Sequence, residues 1–429
     1  MYNIKTKLEF LINYIVILFP LFLIIGSSLL NLFSIIMSLY ALLNYTNLKK
    51  MICSDEKIFL YIFCFFIFIF PYNSIDFKTS LIKFIEYFRY IFMFFGIVIF
   101  LNNINNVYFI NKTKKSYSIL LIIISIDVIK EYFTGTNLLG YNTEYVGRIA
   151  SFTNDELIIG YIFAFLTLFC LGFFRFTVNK LHILLIFILI IISFIIGERS
   201  NFLKLFSLIC FGSIFHYTIK NKFSYLKLFK SLILIILLSG MFFSVMKNTD
   251  QAKKLYNTTS SILNNSNEKN NSILEKFYNS KHAPHYIASF EIFLNYPIFG
   301  VGINNFTKES GKIEYENLKL KYFKNRSSTH PHQIYLELLS EVGFLGFCYF
   351  VVIFIWSIII GIKSYLTSHN LDLLGHILLH TFFMFPFLPS GSFFGTTYGL
   401  PFWFNFAILI YLIKKKEIRS ILTISPSKN

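Results

Sequence analysis

Runs of apolar side chains, separated by a few polar residues at a time, recur along this chain from Leu11 to Ile413. A helix needs about 20 such residues to cross about 30 Å of hydrocarbon, and runs of that kind following one another so closely cannot all be tucked beneath a soluble surface. Composition agrees, because 55% of the 429 residues are hydrophobic, only 14% are charged and the mean hydropathy is +0.62. The chain therefore reads as an all-α polytopic membrane protein, a single integral membrane domain over 1–429.

Polar breaks divide the apolar runs into approximate spans at 9–26, 28–45, 58–74, 81–101, 117–131, 154–174, 181–197, 201–218, 229–246, 333–362, 371–388 and 400–414, about twelve in all. No cleavable leader is expected, since Lys5 and Lys7 lead directly into a full-length apolar pair. With the N-terminus cytoplasmic, Lys49/Lys50/Lys57, Lys112/Lys114/Lys115, Arg175/Lys180, Lys220/Lys222/Lys227, Lys363 and Lys414/Lys415/Lys416 all fall on the cytoplasmic side, and so does the C-terminus. The formal charge of +17 is thus absorbed by membrane topology, and a nucleic-acid partner is disfavoured. Cys64, Cys170, Cys210 and Cys348 lie in apolar runs and Cys53 in a Lys-flanked loop, so no disulfide is expected.

The opposite face carries one large segment, 247–332. Its first part, Asn257–Asn279, is rich in Asn, Ser, Thr and Lys with little to bury; its second part, from His285 to Asn295, has apolar residues at helical spacing and reads as a short amphipathic surface helix stopped by Tyr296–Pro297 and turned through Gly300 and Gly302. Downstream, His330-Pro331-His332-Gln333-Ile334-Tyr335 enters the next span, with Thr329 as the expected cap and His332 in the first turn. An imidazole there is either a proton acceptor near neutral pH or an ordinary capping and surface residue. Arg199, in the Gly197-Glu198-Arg199-Ser200 turn, either engages a phosphate through its planar donors or snorkels and pairs with Glu198. Inside a span, Arg89 lies one turn beyond Glu86, as a structural pair or as part of a polar entrance. Arg148, Arg326, His282 and His285 add external positive or titratable groups. There is no Walker loop, dinucleotide glycine pattern or HExxH, so a donor that is itself lipid-bound through a diphosphate suits the outer positive groups better than a soluble nucleotide.

In combination, the Gly-Glu-Arg-Ser turn at 197–200, Tyr296-Pro297-Ile298-Phe299-Gly300-Val301-Gly302 with Asn305-Phe306, and His330 to Tyr335 running into Glu341-Val342-Gly343-Phe344-Leu345-Gly346 resemble the O-antigen ligase and polymerase superfamily of bacterial envelope glycosyltransferases, most strongly over 155–360. The resemblance implies a C-class glycosyltransferase-like fold with a large periplasmic loop carrying short helices, in the bacterial inner membrane. It implies a metal-independent, cofactor-free inverting transfer from undecaprenyl diphosphate. The acceptor is a lipid A-core sugar hydroxyl in a ligase and another lipid-linked glycan in a polymerase, with membrane lipids around both.

On this resemblance His332 corresponds to the family's essential histidine and Arg199 to the diphosphate arginine; His330 and Glu341 complete the expected catalytic set. Substrate binding is assigned to Arg199, His285, Arg326, Arg148, Tyr335 and Arg89. Many members carry an arginine just before the amphipathic helix where this chain has Ala283, so His285, Arg326 or Arg148 would take that place. Ligation is the first expectation and polymerisation the second. A polysaccharide or lipid transporter is more distant, because Glu86 and Arg89 have no symmetric counterpart in the second half.

Overall fold

In a computed structural model of the chain, the described residues are 2–424 apart from 55, 104–105, 143–144, 146, 157, 173–179, 221–252 and 254–276. They form helices α1 (Tyr2–Ile17), α2 (Phe19–Ile25), α3 (Ser27–Leu43), α4 (Tyr45–Ser54), α5 (Glu56–Phe68), α6 (Phe77–Asn103), α7 (Asn106–Thr134), α8 (Ile159–Phe169), α9 (Lys180–Ile196), α10 (Arg199–Lys220), α11 (Ala283–Asn295), α12 (Phe306–Ser310), α13 (Ile334–Ser368), α14 (Leu371–Phe383) and α15 (Thr396–Ile424). No strand occurs among the described residues.

The expectation of about twelve spans is corrected. Among the described residues four helices are long and apolar enough to cross a membrane, within α6, α10, α13 and α15, or five if α3 and α4, bent by 83° at Asn44, act as one. Apolar content does not measure helical length. The 154–174 run yields an α8 of 11 residues and the 371–388 run an α14 of 13, about 17 and 20 Å at 1.5 Å per residue, short of the hydrocarbon thickness. The first run is interrupted at Leu18, ahead of Pro20, and the 117–131 run is the end of α7, which also carries Asp127, Lys130 and Glu131. The C-class layout implied by the resemblance rested on that count and falls with it. The expected span at 229–246, the polar stretch up to residue 276, and Arg175, Lys222 and Lys227 lie outside the described residues.

Phenylalanine fills the interior. Phe19 stacks on Phe404 with centroids 4.1 Å apart, and Phe393 meets Phe350 at 4.7 Å and Phe402 at 5.2 Å. On α13, Val352, Ile355 and Ile359 stay exposed along one stripe, a surface suited to acyl chains rather than water. The two ends of the bundle differ in chemistry. At one, Lys114 pairs with Asp372 and Lys112 lies 5.0 Å from the Tyr14 ring centroid. At the other, Asp76 accepts from Lys308, and Asn305 Nδ2 donates to Ser74 at 2.6 Å and Ser80 at 2.9 Å, tying the start of α6 to the loop before α12.

That loop is welded to α13. Val301 and Gly302 donate to the carbonyls of Ser340 and Glu341, both at 2.9 Å, and Phe344 donates to Pro297 at 2.8 Å. The seam requires α13 to break at Gly343, whose φ is +74° and whose missing Cβ would stand 2.3 Å from the Ile298 carbonyl oxygen. Gly343→Ala (G343A) meets both a left-handed backbone and that carbonyl, so it should destabilise by at least about 2 kcal/mol. Gly311→Ala, at φ −70° with its nearest neighbour 3.4 Å away, is the neutral control. The thermal midpoint and monodisperse fraction of the detergent-solubilised variants check this.

Candidate functional site

At the end of the bundle that carries the seam, three connections converge. The turn between α9 and α10 is pinned by the loop before α8: Ile149 donates to the Ile196 carbonyl at 3.0 Å, and a Cβ on Gly197, at φ +80°, would lie 2.2 Å from the Gly147 carbonyl oxygen. Only glycine allows that approach, which sets Arg148 beside Glu198 and Arg199. The loop itself is held from below by Glu131, which accepts from the backbone N–H groups of Ala150 and Ser151 at 3.1 and 2.7 Å. Glu198 is buried and accepts from Gly160 N–H at 2.8 Å and Asn201 at 2.6 Å, while Arg199 is exposed. Burial pushes the Glu198 carboxyl up, against the opposing pull of Gly160, Asn201 and Arg148.

His332 does not enter the first turn of α13. Gln333 is the cap, its side chain accepting from Leu336 N–H at 2.9 Å, and Thr329 instead meets His330 Nδ1 at 3.0 Å. His332 sits one residue before the cap with φ +57°, a left-handed conformation that an ordinary side chain adopts at a cost of about 1–2 kcal/mol. Its carbonyl accepts from Ser390 N–H at 2.9 Å in the loop between α14 and α15.

Around His332 stand three more imidazoles. Ring centroids lie 4.2 Å away for His330, 5.2 Å for His285 and 5.8 Å for His282. His285 Nδ1–H donates to the Arg326 carbonyl at 3.3 Å, which leaves its Nε2 as the lone-pair nitrogen. Removal from water, then repulsion from His330, His285 and His282, pushes His332 down to about 3; burial does the same to His330, at about 4, against a bond to the Ser390 backbone. Protonation of His282 is held down by its removal from water first, then by His285, Arg199 and Lys281, so the charge of Arg199 reaches this cluster. The result is a group of neutral imidazoles bordered by arginine.

The other candidates have structural partners. Both carboxylate oxygens of Glu341 are taken by backbone, with Asn304 N–H at 2.9 Å and Phe306 N–H at 3.1 Å, so this buried residue fastens the seam. Tyr335 OH donates to the Met384 carbonyl at 2.6 Å. The Arg326 guanidinium donates to the carbonyls of Gly311, Lys312 and Phe323 at 3.3–3.4 Å and pairs with Glu316 at 3.5 Å. Arg89 engages Asn31 and lies over the Tyr90 ring, whereas Glu86 pairs with Lys83 at 3.2 Å, so the Glu86–Arg89 pair does not form. Among the described residues no group of three or more His, Cys, Asp or Glu is arranged to hold a metal ion.

Two charged residues went unnoticed in the sequence. Glu337 accepts from Ser392 Oγ at 2.5 Å and Phe393 N–H at 2.8 Å, and Lys204 donates to the Pro389 carbonyl at 2.7 Å. The signal available was a charge inside an apolar run, alone for Lys204 and one turn before Glu341 for Glu337.

Because His332 binds a proton less readily folded than unfolded, the unfolded chain takes up more protons as pH falls below about 6.5, and stability should decline from there towards the folded value of about 3. Titration of the labelled imidazoles by NMR in the ligand-free protein should place His332 and His330 below about 5. A His332 value at or above the ordinary 6.5 would contradict the packing described.

Residues 184–351 match a protein-family model described as O-antigen ligase, a stretch that includes Arg199, His285, Arg326, His330, His332, Tyr335 and Glu341 but neither Arg148 nor Arg89. No curated protein matches the chain. Over the matched stretch, which brings the turn before α10, the loop of α11 and the start of α13 to one end of the bundle, this chain resembles the O-antigen ligase family.

Proposed function

We propose that the chain, as a single membrane-embedded unit, transfers a glycan from undecaprenyl diphosphate to a lipid A-core sugar hydroxyl, with the histidine cluster facing the periplasm and the Lys112–Lys114 end and both termini facing the cytoplasm. The observation that carries this reading is the convergence of Arg199, Arg148 and the neutral His332 on one end of a chain that matches the O-antigen ligase model. In the step proposed, His332 accepts the proton of the acceptor hydroxyl as its oxygen bonds to the anomeric carbon from the face opposite the diphosphate. The anomeric C–O bond breaks with its electron pair leaving on the diphosphate, whose charge Arg199 and Arg148 receive, and the configuration inverts. No metal or cofactor is assigned a role.

An imidazole with a pKa near 3 is a weak base, and the donor supplies the remedy. A diphosphate bound beside the arginines adds negative charge near His332 and raises its proton affinity towards the working pH. The base is thereby readied when the donor is in place. Arg148 is the second external cation in this reading, because the guanidinium of Arg326 is engaged by loop carbonyls and Glu316 and His285 by the Arg326 carbonyl. Glu341, Tyr335 and His330 are assigned to holding the site rather than to touching substrate.

With purified protein, His332→Ala should lower turnover by about 10³-fold and Arg199→Ala by about 10²-fold, with the folded protein retained. Arg148→Ala should chiefly raise the donor KM; Arg326→Ala should lower stability and leave that KM near its original value. Full turnover by H332A removes His332 from the mechanism. Deleting the protein in its own host separates the acceptors. Lipid-linked long chains that are no longer attached indicate ligation, attached single repeats indicate polymerisation, and normal glycan with altered solute uptake defeats both.

A further inference from the structure

One buried lysine has no place in the mechanism above. Lys204 of α10 is 1% exposed, its ammonium lies 5.5 Å from the Phe382 ring centroid, and among the described residues no carboxylate pairs with it. A buried ammonium without a counter-charge is costly and needs strong local acceptors. The acceptor it has is the Pro389 carbonyl at 2.7 Å. The next peptide N–H, that of Ser390, is the one that donates to the His332 carbonyl, and His332 is held there in a left-handed backbone. From the other side, Glu337 holds Ser392 and Phe393 of the same loop.

We infer that Lys204 is a positioning residue for His332: its ammonium fixes the Pro389–Ser390 peptide, and that peptide locks the backbone that aims the imidazole into the cluster. This rests on the reading of His332 as base. Lys204 acts through a carbonyl and an amide and does not touch substrate. Losing its donor lets Ser390 drift, and a displacement of about 1 Å at a base can cost about 10²-fold in rate.

The test uses the full-length purified chain, an undecaprenyl-diphosphate-linked glycan as donor, and the acceptor class that the host deletion identifies. Lys204→Met should lower kcat by about 10²-fold with the donor KM held within about twofold. It should also speed exchange of the Ser390 amide by at least about tenfold, and Lys204→Arg, which keeps both charge and donor, should restore most of kcat and protection. Unchanged kcat, unchanged Ser390 exchange, or a raised donor KM at unchanged kcat each overturn the inference, the last by making Lys204 a donor contact. If K204M does not fold, Lys204→Gln, a neutral donor, is measured in its place. H332A is assayed in parallel. An active H332A defeats the base reading and this inference with it, whereas an inactive H332A beside a fully active K204M defeats the inference alone.

Discussion

The carboxylate of Glu341 is the fastening on which this end of the molecule depends. It is buried and takes two backbone N–H groups, that of the exposed Asn304 and that of the buried Phe306, which would otherwise lack a partner in the interior. Two residues on, Gly343 breaks the helix so that Pro297 to Gly302 can lie against the break and hydrogen-bond to both sides of it. The seam is one of the ties that bring the large loop to His332, beside the Ser289 hydroxyl that donates to the Leu336 carbonyl at 2.8 Å. It anchors the end of α11, so the beginning of α11, with His282 and His285, has a fixed position over His332. The glycines and the glutamate here are architectural, and the imidazoles inherit their placement from them.

Much of this end was legible as a set of words and little of it as a shape. Gly300, Gly302, Glu341 and Gly343 stand out as a motif, but only coordinates reveal that two halves of the motif, about 40 residues apart, are one hydrogen-bonded seam. The left-handed backbone of His332 was hidden because a proline followed by an apolar run reads as a helix start, while the actual cap is Gln333. Helix lengths were misjudged for a related reason. Hydropathy registers which residues avoid water and does not register where helical hydrogen bonding ends, so short helices such as α8 and α14 read as complete crossings. Arg326 looked like a substrate ligand because guanidinium in an outer loop is attractive on chemical grounds, yet neighbouring carbonyls already occupy it. Lys204 was lost for the opposite reason: one lysine in a long apolar run weighs little in a hydropathy sum, and its acceptor lies 185 positions away.

Electrostatically the site is lopsided. Imidazoles gather around His332, while the carboxylates of Glu198, Glu337 and Glu341 are buried and committed to backbone, amide or hydroxyl donors. Burial first, and then the neighbouring imidazoles, lowers the proton affinity of His332.

The backbone of His332 carries a last implication. A left-handed position is where a chain most comfortably places glycine, and at φ +57° a side chain is a conformational burden. If the shape of the chain alone mattered there, the simplest residue would serve best. An imidazole in that place is held against its own conformational preference by its neighbours, among them the Ser390 N–H that donates to the His332 carbonyl.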